Sequence, residues 1–173
     1  EKNICTKRIA MHIKLKNKKI YYLDYSAKCA VGKRGISLRK VEGDKKTPAG
    51  KFKFKYILYR KDRVSEIKSK LKKIPIKKNM GWCDDINSKF YNKLIKFPFS
   101  MKAEKLYLKK HIYDIILVTN YNTNPIKKNK GSAIFVHLAT KDFSPTKGCI
   151  AIKLIDMKKI IKKINLKSKL IIS

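Results

Sequence analysis

The sequence predicts one β-rich α+β domain with two or three helices. Three observations carry this prediction. Apolar and polar residues alternate from Ile9 to Leu15 and again from Phe52, the period of a half-buried strand. Ile115–Tyr121 and Ala133–Ala139 are short, nearly unbroken apolar runs, the pattern of buried strands. Helical spacing of apolar residues is confined to Asp62–Ile74 and Leu154–Ile164. At 173 residues the chain suits a single domain spanning residues 1–173, with no internal repeat or linker.

The elements follow in order. Ile9, Met11, Ile13 and Leu15 alternate with Arg8, Ala10, His12 and Lys14, and Ile20–Tyr25 answers them as the second arm of a hairpin. Pairing Leu15 with Lys19 sets Ile13 opposite Tyr21, Met11 opposite Leu23 and Ile9 opposite Tyr25, so that one face is largely apolar. The same register sets Cys5 opposite Cys29 as a candidate disulfide for an oxidising compartment. Gly32–Gly50 is a glycine- and charge-rich loop that ends in Thr47-Pro-Ala-Gly50. Phe52–Tyr59 opens as a strand. Val64, Ile67, Leu71 and Ile74 predict a helix over Asp62–Ile74, stopped by Pro75. Leu154, Ile155, Met157, Ile160, Ile161 and Ile164 predict a C-terminal amphipathic helix, and Leu170–Ile172 a last strand.

The formal net charge is +33. Arginine, the residue suited to bidentate phosphate and base recognition, supplies only five of the 45 basic residues. The lysines run from Lys2 to Lys169 without forming one tract. That is a lysine-coated surface rather than a nucleic-acid site, and it would attract an anionic wall polymer or lipid layer. No stretch approaches the roughly 18–20 apolar residues of a membrane span. The chain opens at Glu1 and contains no visible signal peptide.

The chemistry concentrates between His137 and Cys149. One histidine stands twelve residues ahead of a cysteine that follows Gly148, and each lies at or next to a predicted strand. Two strand ends of this kind bring a thiol and an imidazole together, the makings of a thiolate nucleophile. Gly148 lets a carbonyl approach closely, and backbone N–H groups there suit an oxyanion. A histidine interior to an apolar strand also reads as a core residue, and a buried inert thiol is the other reading of Cys149. Cys83 competes for the nucleophile role, but Asp84 and Asp85 beside it disfavour its thiolate. His12 falls on the polar face of the hairpin. His111 reads equally as a substrate contact or a strand cap. No C-x-x-C or H-x-x-x-H spacing is present, so no metal site and no cofactor is expected.

These motifs resemble the YkuD-type L,D-transpeptidases, the cysteine enzymes of bacterial cell-wall cross-linking. The resemblance is to a branch with G-S-A-I-F-x-H followed by P-T-x-G-C, here Gly131-Ser-Ala-Ile-Phe-Val-His137 and Pro145-Thr-Lys-Gly-Cys149. Glu42-Gly-Asp44, Thr47-Pro-Ala-Gly50, Gly81-Trp-Cys-Asp-Asp85, Tyr91-Asn92, Tyr113-Asp114 and Tyr121-Asn122 also fit that branch. Lys147 stands where the more familiar pattern has a second histidine, and Ala151 where it has Arg or Asn.

The resemblance implies a curved mixed sheet or sandwich-like core with peripheral helices. It implies Cys149 as nucleophile, His137 as its base, and Gly148 and Cys149 as oxyanion donors. Thr146, Lys147, Trp82, Asp84, Asp85, Tyr91, Asn92, His111, Tyr113, Tyr121 and Arg39 are the candidate substrate contacts. Core packing for the aromatics, and a turn role for Thr146, remain the other readings. The implied partners are peptidoglycan stem peptides, with carbapenems as covalent inhibitors and no nucleic acid. The implied location is the periplasm or cell wall. Two other functions stay open: an L,D-carboxypeptidase or amide hydrolase with the same Cys/His pair, and a non-catalytic basic module binding wall or nucleic acid.

Overall fold

The structure, a computed structural model, describes residues 10–173. Its strands are β1 (Ile13–Lys16), β2 (Lys19–Tyr22), β3 (Tyr25–Ala30), β4 (Ile36–Ser37), β5 (Thr47–Pro48), β6 (Gly50–Tyr59), β7 (Lys72–Pro75), β8 (Met80–Cys83), β9 (Leu94–Lys96), β10 (Ala103–Lys105), β11 (Ile115–Thr119), β12 (Phe135–Leu138), β13 (Ile150–Ile152) and β14 (Lys169–Ile172). One α-helix, α1 (Leu154–Lys163), is found among the described residues, with a 3-10 turn at His111–Tyr113.

The main sheet runs β11-β12-β13-β3-β2-β1-β14-β6, and β6 pairs back onto β11. That closes it into a barrel-like ring. The length of β6 makes the closure: Gly50–Lys53 pair with β14, while Phe54–Tyr59 pair with β11. The sheet is mixed, with parallel pairs β1–β14, β12–β13 and β6–β7. Ile13, Leu15, Ile20, Phe54, Ile57 and Leu117 point inward, and α1 adds Met157, Ile160 and Ile161 to that core. A second cluster covers the outside of the β6–β11–β12 wall, where Leu58, Ile116, Val118 and Phe135 meet Met80, Trp82, Leu106 and Tyr113. All five residues of β11 are therefore buried, and Ile115 to Val118 fall alternately in the two clusters. Its unbroken apolar sequence is the signature of a strand covered on both sides.

Five sequence expectations change. The hairpin closes through a two-residue loop, Asn17-Lys18, with both residues at positive φ, as a type I′ turn requires. Leu15 therefore pairs with Ile20 rather than Lys19. A slip of one residue exchanges the faces of a strand. Ile20 and Tyr22 turn inward, and Tyr21 and Leu23 are exposed. The expected second arm also breaks at Leu23, whose φ of 50° begins another tight turn into β3. The Cys5 half of the expected disulfide lies outside the described residues, and Cys29 is buried in the barrel interior.

Asp62–Ile74 is not a helix. Val64, Ile67 and Leu71 do reach the core, but along an irregular path. Arg60 braces the start with bonds to Asp62 and to the Leu108 carbonyl, and Lys72–Pro75 pairs in parallel with β6. A parallel neighbour needs a crossover of about a dozen residues, and this segment supplies it. The expected two or three helices reduce to α1, on which Leu154 and Ile155 are exposed. His111 begins the 3-10 turn rather than a strand.

The outer face of the β3-β2-β1-β14-β6 wall is rich in lysine. Lys16 lies directly opposite Lys19, Lys19 opposite Lys28, and Lys53 opposite Lys169. No helix among the described residues is long and apolar enough to cross a membrane.

Candidate active site

The site lies where β12 and β13 run side by side in parallel, with His137 level with Ala151. Alternation sends Val136, Leu138, Ile150 and Ile152 into the barrel. It sends Phe135 and His137 of β12, and Cys149 just before β13, to the opposite face. Cys149 and His137 are thus diagonal neighbours on adjacent strands, roughly 7–8 Å apart at Cα. A thiol and an imidazole can meet across that gap.

The thiol is held on both sides by the backbone of one segment. It donates to the Ala133 carbonyl at 2.9 Å, and the Phe135 N–H donates to Sγ at 3.4 Å. Ala133 sits at φ 51°, a left-handed conformation that costs a non-glycine residue about 1–2 kcal/mol. Burial pushes the Cys149 thiol up to about 12, against the opposing help of the Phe135 N–H. With its pKa raised in this way, the Cys149 thiol is protonated at neutral pH.

His137 is 7% exposed. Its Nδ1 lies 3.0 Å from the Leu138 carbonyl oxygen. A carbonyl only accepts, so Nδ1 carries the proton and Nε2 keeps its lone pair. Burial lowers its pKa to about 4, so the ring is neutral at neutral pH. Tyr113 packs edge-on against it at 5.2 Å between centroids and donates to Glu104 at 2.6 Å. Burial raises the pKa of that carboxyl. The imidazole is thereby fixed in plane, in tautomer and in charge, with its basic nitrogen unprotonated.

Loops brace this centre. Asn92, buried and at φ 55°, accepts from the Trp82 indole and the Ala133 N–H, both at 3.0 Å, and donates to the Tyr121 and Asn122 carbonyls. Trp82 in turn lies edge-on to Phe135. Tyr91 donates to Glu42 and receives the Gly131 N–H. Lys40 is buried in an ion pair with Asp44, its chain running behind Gly131 and Gly148. Thr146 Oγ1 receives the Gly148 N–H at 3.1 Å and donates to the Cys149 carbonyl at 2.6 Å. Lys147 is exposed beside it, and its charge acts on Glu104.

The structure does not gather every candidate. Asp85 caps its own turn through the Asn87 N–H. His111 is exposed and paired with Asp114, which also holds Arg63. Arg39 is exposed, its N–H bonded to Ser37. Tyr121 donates to the Lys130 carbonyl and packs on Phe52. Asp84 meets Lys102 through Oδ2, while its buried Oδ1 has no hydrogen-bond partner. Cys83, the rival thiol, is fully buried in β8. Sequence reasoning gave no role to Thr47, Lys40, Glu42 or Glu104. The first three stand in the Glu42–Gly50 stretch or at its edge, so a signal was there. Glu104, between Ala103 and Lys105, offered none.

A family model described as the L,D-transpeptidase catalytic domain, YkuD, matches residues 8–172. No curated protein matches the chain. Among solved structures, that of Bd1075 from Bdellovibrio bacteriovorus is similar in fold, with a TM-score of 0.50 at 14% identity over 95% of this chain and 48% of that one. This chain spans about half the length of that protein.

Proposed function

This chain belongs to the YkuD family of L,D-transpeptidase catalytic domains, and on that footing we propose that it is a cysteine acyltransferase of peptidoglycan stem peptides. Cys149 is the nucleophile and His137 its general base. The observation that carries this is the locked imidazole. Nδ1 is committed to the Leu138 carbonyl, which leaves Nε2 free to accept a proton on the face that also bears the Cys149 thiol.

Nε2 takes the thiol proton as Sγ attacks the carbonyl between an L-centre and a terminal D-residue. The oxyanion is met by the Cys149 N–H. The His137 imidazolium then returns the proton to the departing amine, and a thioester remains. An amine of a second stem attacks that thioester, His137 takes its proton, and collapse restores the thiol. Exposed Lys147 is assigned to a stem carboxylate. Carbapenems acylate the same sulfur. The periplasm or wall is the compartment where such a substrate resides.

The test is mass spectrometry of tetrapeptide stems incubated with the native chain and with Cys149→Ala, with and without an amine acceptor. Release of the D-residue together with acceptor-dependent dimers is expected from the native chain alone. Release without dimers would make it a carboxypeptidase. Turnover by Cys149→Ala would refute the assignment.

A further inference from the structure

Within that proposed chemistry, we infer that Thr47 is a positioning residue that aims and polarises the oxyanion donor. Thr47 is fully buried. Its Oγ1 accepts the Gly32 N–H at 2.8 Å and donates to the Gly148 carbonyl at 2.8 Å. The direction is fixed, because the Gly32 N–H is only a donor and the Gly148 carbonyl only an acceptor.

Two glycines make room for this bridge. A Cβ on Gly32 would lie 2.4 Å from the Lys45 oxygen, and one on Gly148 would lie 2.9 Å from the Lys46 oxygen. The Lys45–Thr47 backbone is therefore wedged between the end of β3 and the turn before Cys149. Further bonds hold that turn to β3's end: the Lys33 N–H donates to the Thr146 carbonyl, and the Thr146 N–H to Val31.

The consequence lies in the Gly148–Cys149 peptide, which is trans. In a trans peptide the C=O and N–H point in opposite directions. A carbonyl held toward buried Thr47 turns the Cys149 N–H the other way, away from that bridge and free for the oxyanion. A hydrogen bond accepted at the carbonyl also strengthens the donor at the other end of the same amide. The run Gly32 N–H, Thr47 O–H, Gly148 C=O, Cys149 N–H is thus a polarised chain that ends at the developing oxyanion. The alternative donor, the Gly148 N–H, is already engaged by Thr146. The Cys149 N–H carries the oxyanion role, and Thr47 is the residue that sets it.

The test compares two reactions of one sulfur in the native chain, Thr47→Val and Thr47→Ser. Acylation by a carbapenem passes through an oxyanion, whereas alkylation by iodoacetamide does not. Both are followed by intact mass at pH 9. Thr47→Val is expected to slow acylation between about 10- and 100-fold, short of the 10²–10³ lost on deleting an oxyanion donor. Its alkylation should stay within about 2-fold of native, and Thr47→Ser should recover acylation. Should Thr47→Val not fold, Thr47→Ala makes the same comparison.

Unchanged acylation in Thr47→Val or Thr47→Ala would overturn the inference and leave the proposed function standing. Equal slowing of both reactions would overturn it too, because the hydroxyl would then be placing the thiol itself. A native chain that alkylates but is acylated neither by the carbapenem nor by a tetrapeptide stem would overturn the acyl-transfer reading, and this inference with it.

Discussion

The clearest prediction concerns the resting charge of the Cys149 thiol. Many activated cysteines exist as thiolate–imidazolium pairs, and this one should not. The thiol is pushed up to about 12 and the imidazole down to about 4. The dominant cause in both is the same, loss of water on burial. Moving the proton from sulfur to nitrogen spans about 8 pH units, or about 11 kcal/mol at 1.36 per unit. A thiolate and an imidazolium brought to about 4 Å would recover about 4 kcal/mol at an effective dielectric of 20. The balance, about 7 kcal/mol, puts roughly one molecule in 10⁵ in the ion-pair state. In the proposed reaction, proton transfer is then expected to accompany attack.

Two assays follow this, thiolate absorbance at 240 nm and the rate of iodoacetamide alkylation, each from pH 4 to 10 against a Cys149→Ala background. No Cys149-dependent absorbance is expected at pH 7. Alkylation should climb about tenfold per pH unit toward pH 10 without a plateau. His137→Ala should leave that curve nearly unchanged, since burial and not the imidazole sets the thiol. The same variant should slow acylation by about 10²–10⁴. A thiolate signal at pH 7 that titrates away between pH 4 and 7 would refute the reasoning.

Three further predictions rest on the same structure. His137 folds with a pKa near 4 and unfolds with one near 6.5, so the unfolded chain binds the extra proton between those values. Stability is then fully present above pH 6.5 and falls by about 3 kcal/mol on acidification to pH 4, a slope that urea titrations should find flattened in His137→Gln. Asn92→Ala removes bonds to Trp82, Ala133, Tyr121 and Asn122; it should cost about 3 kcal/mol by urea unfolding and slow acylation, because it frees the segment that grips the thiol. Lys19 faces both Lys16 and Lys28; Lys19→Glu should raise stability by about 0.5–1 kcal/mol in dilute buffer, a gain that fades in 1 M salt.

What the sequence made legible depends on how local the physics is. The β12 and β13 strands could be read because unbroken apolar runs and the His137–Cys149 spacing are local signals. The hairpin register could not, because Asn17-Lys18 and Lys16-Asn17-Lys18 are equally plausible loops and the choice shifts every side chain. Asp62–Ile74 misled because Val64, Ile67 and Leu71 satisfy helical spacing while serving a crossover whose path is fixed by β6 and Arg60. At the site, Cys149 and His137 announce themselves by chemistry. Thr47 does not: it lies about a hundred residues from the carbonyl it binds, and nothing in Lys-Thr-Pro states that its hydroxyl ends at Gly148.

The distribution of acid answers how a chain of charge +33 holds together. Six of its twelve carboxylates hold a basic side chain or a tyrosine hydroxyl rather than neutralise the lysine face. Asp62 holds Arg60, Asp114 holds Arg63 and His111, Asp44 holds Lys40, and Glu42, Glu104 and Asp156 receive the hydroxyls of Tyr91, Tyr113 and Tyr22. Two of these braces, Asp44–Lys40 and Glu104–Tyr113, stand against Gly148 and His137 respectively. Exposed like-charge repulsion is weak and screened, about 1 kcal/mol per contact or less. A buried polar group left unpaired costs about 1–3 kcal/mol, and a charged one more. A limited stock of carboxylates stabilises most where water is absent. Three of those acids, Glu42, Asp44 and Glu104, brace the loops around the thiol, while the lysine face stays unneutralised.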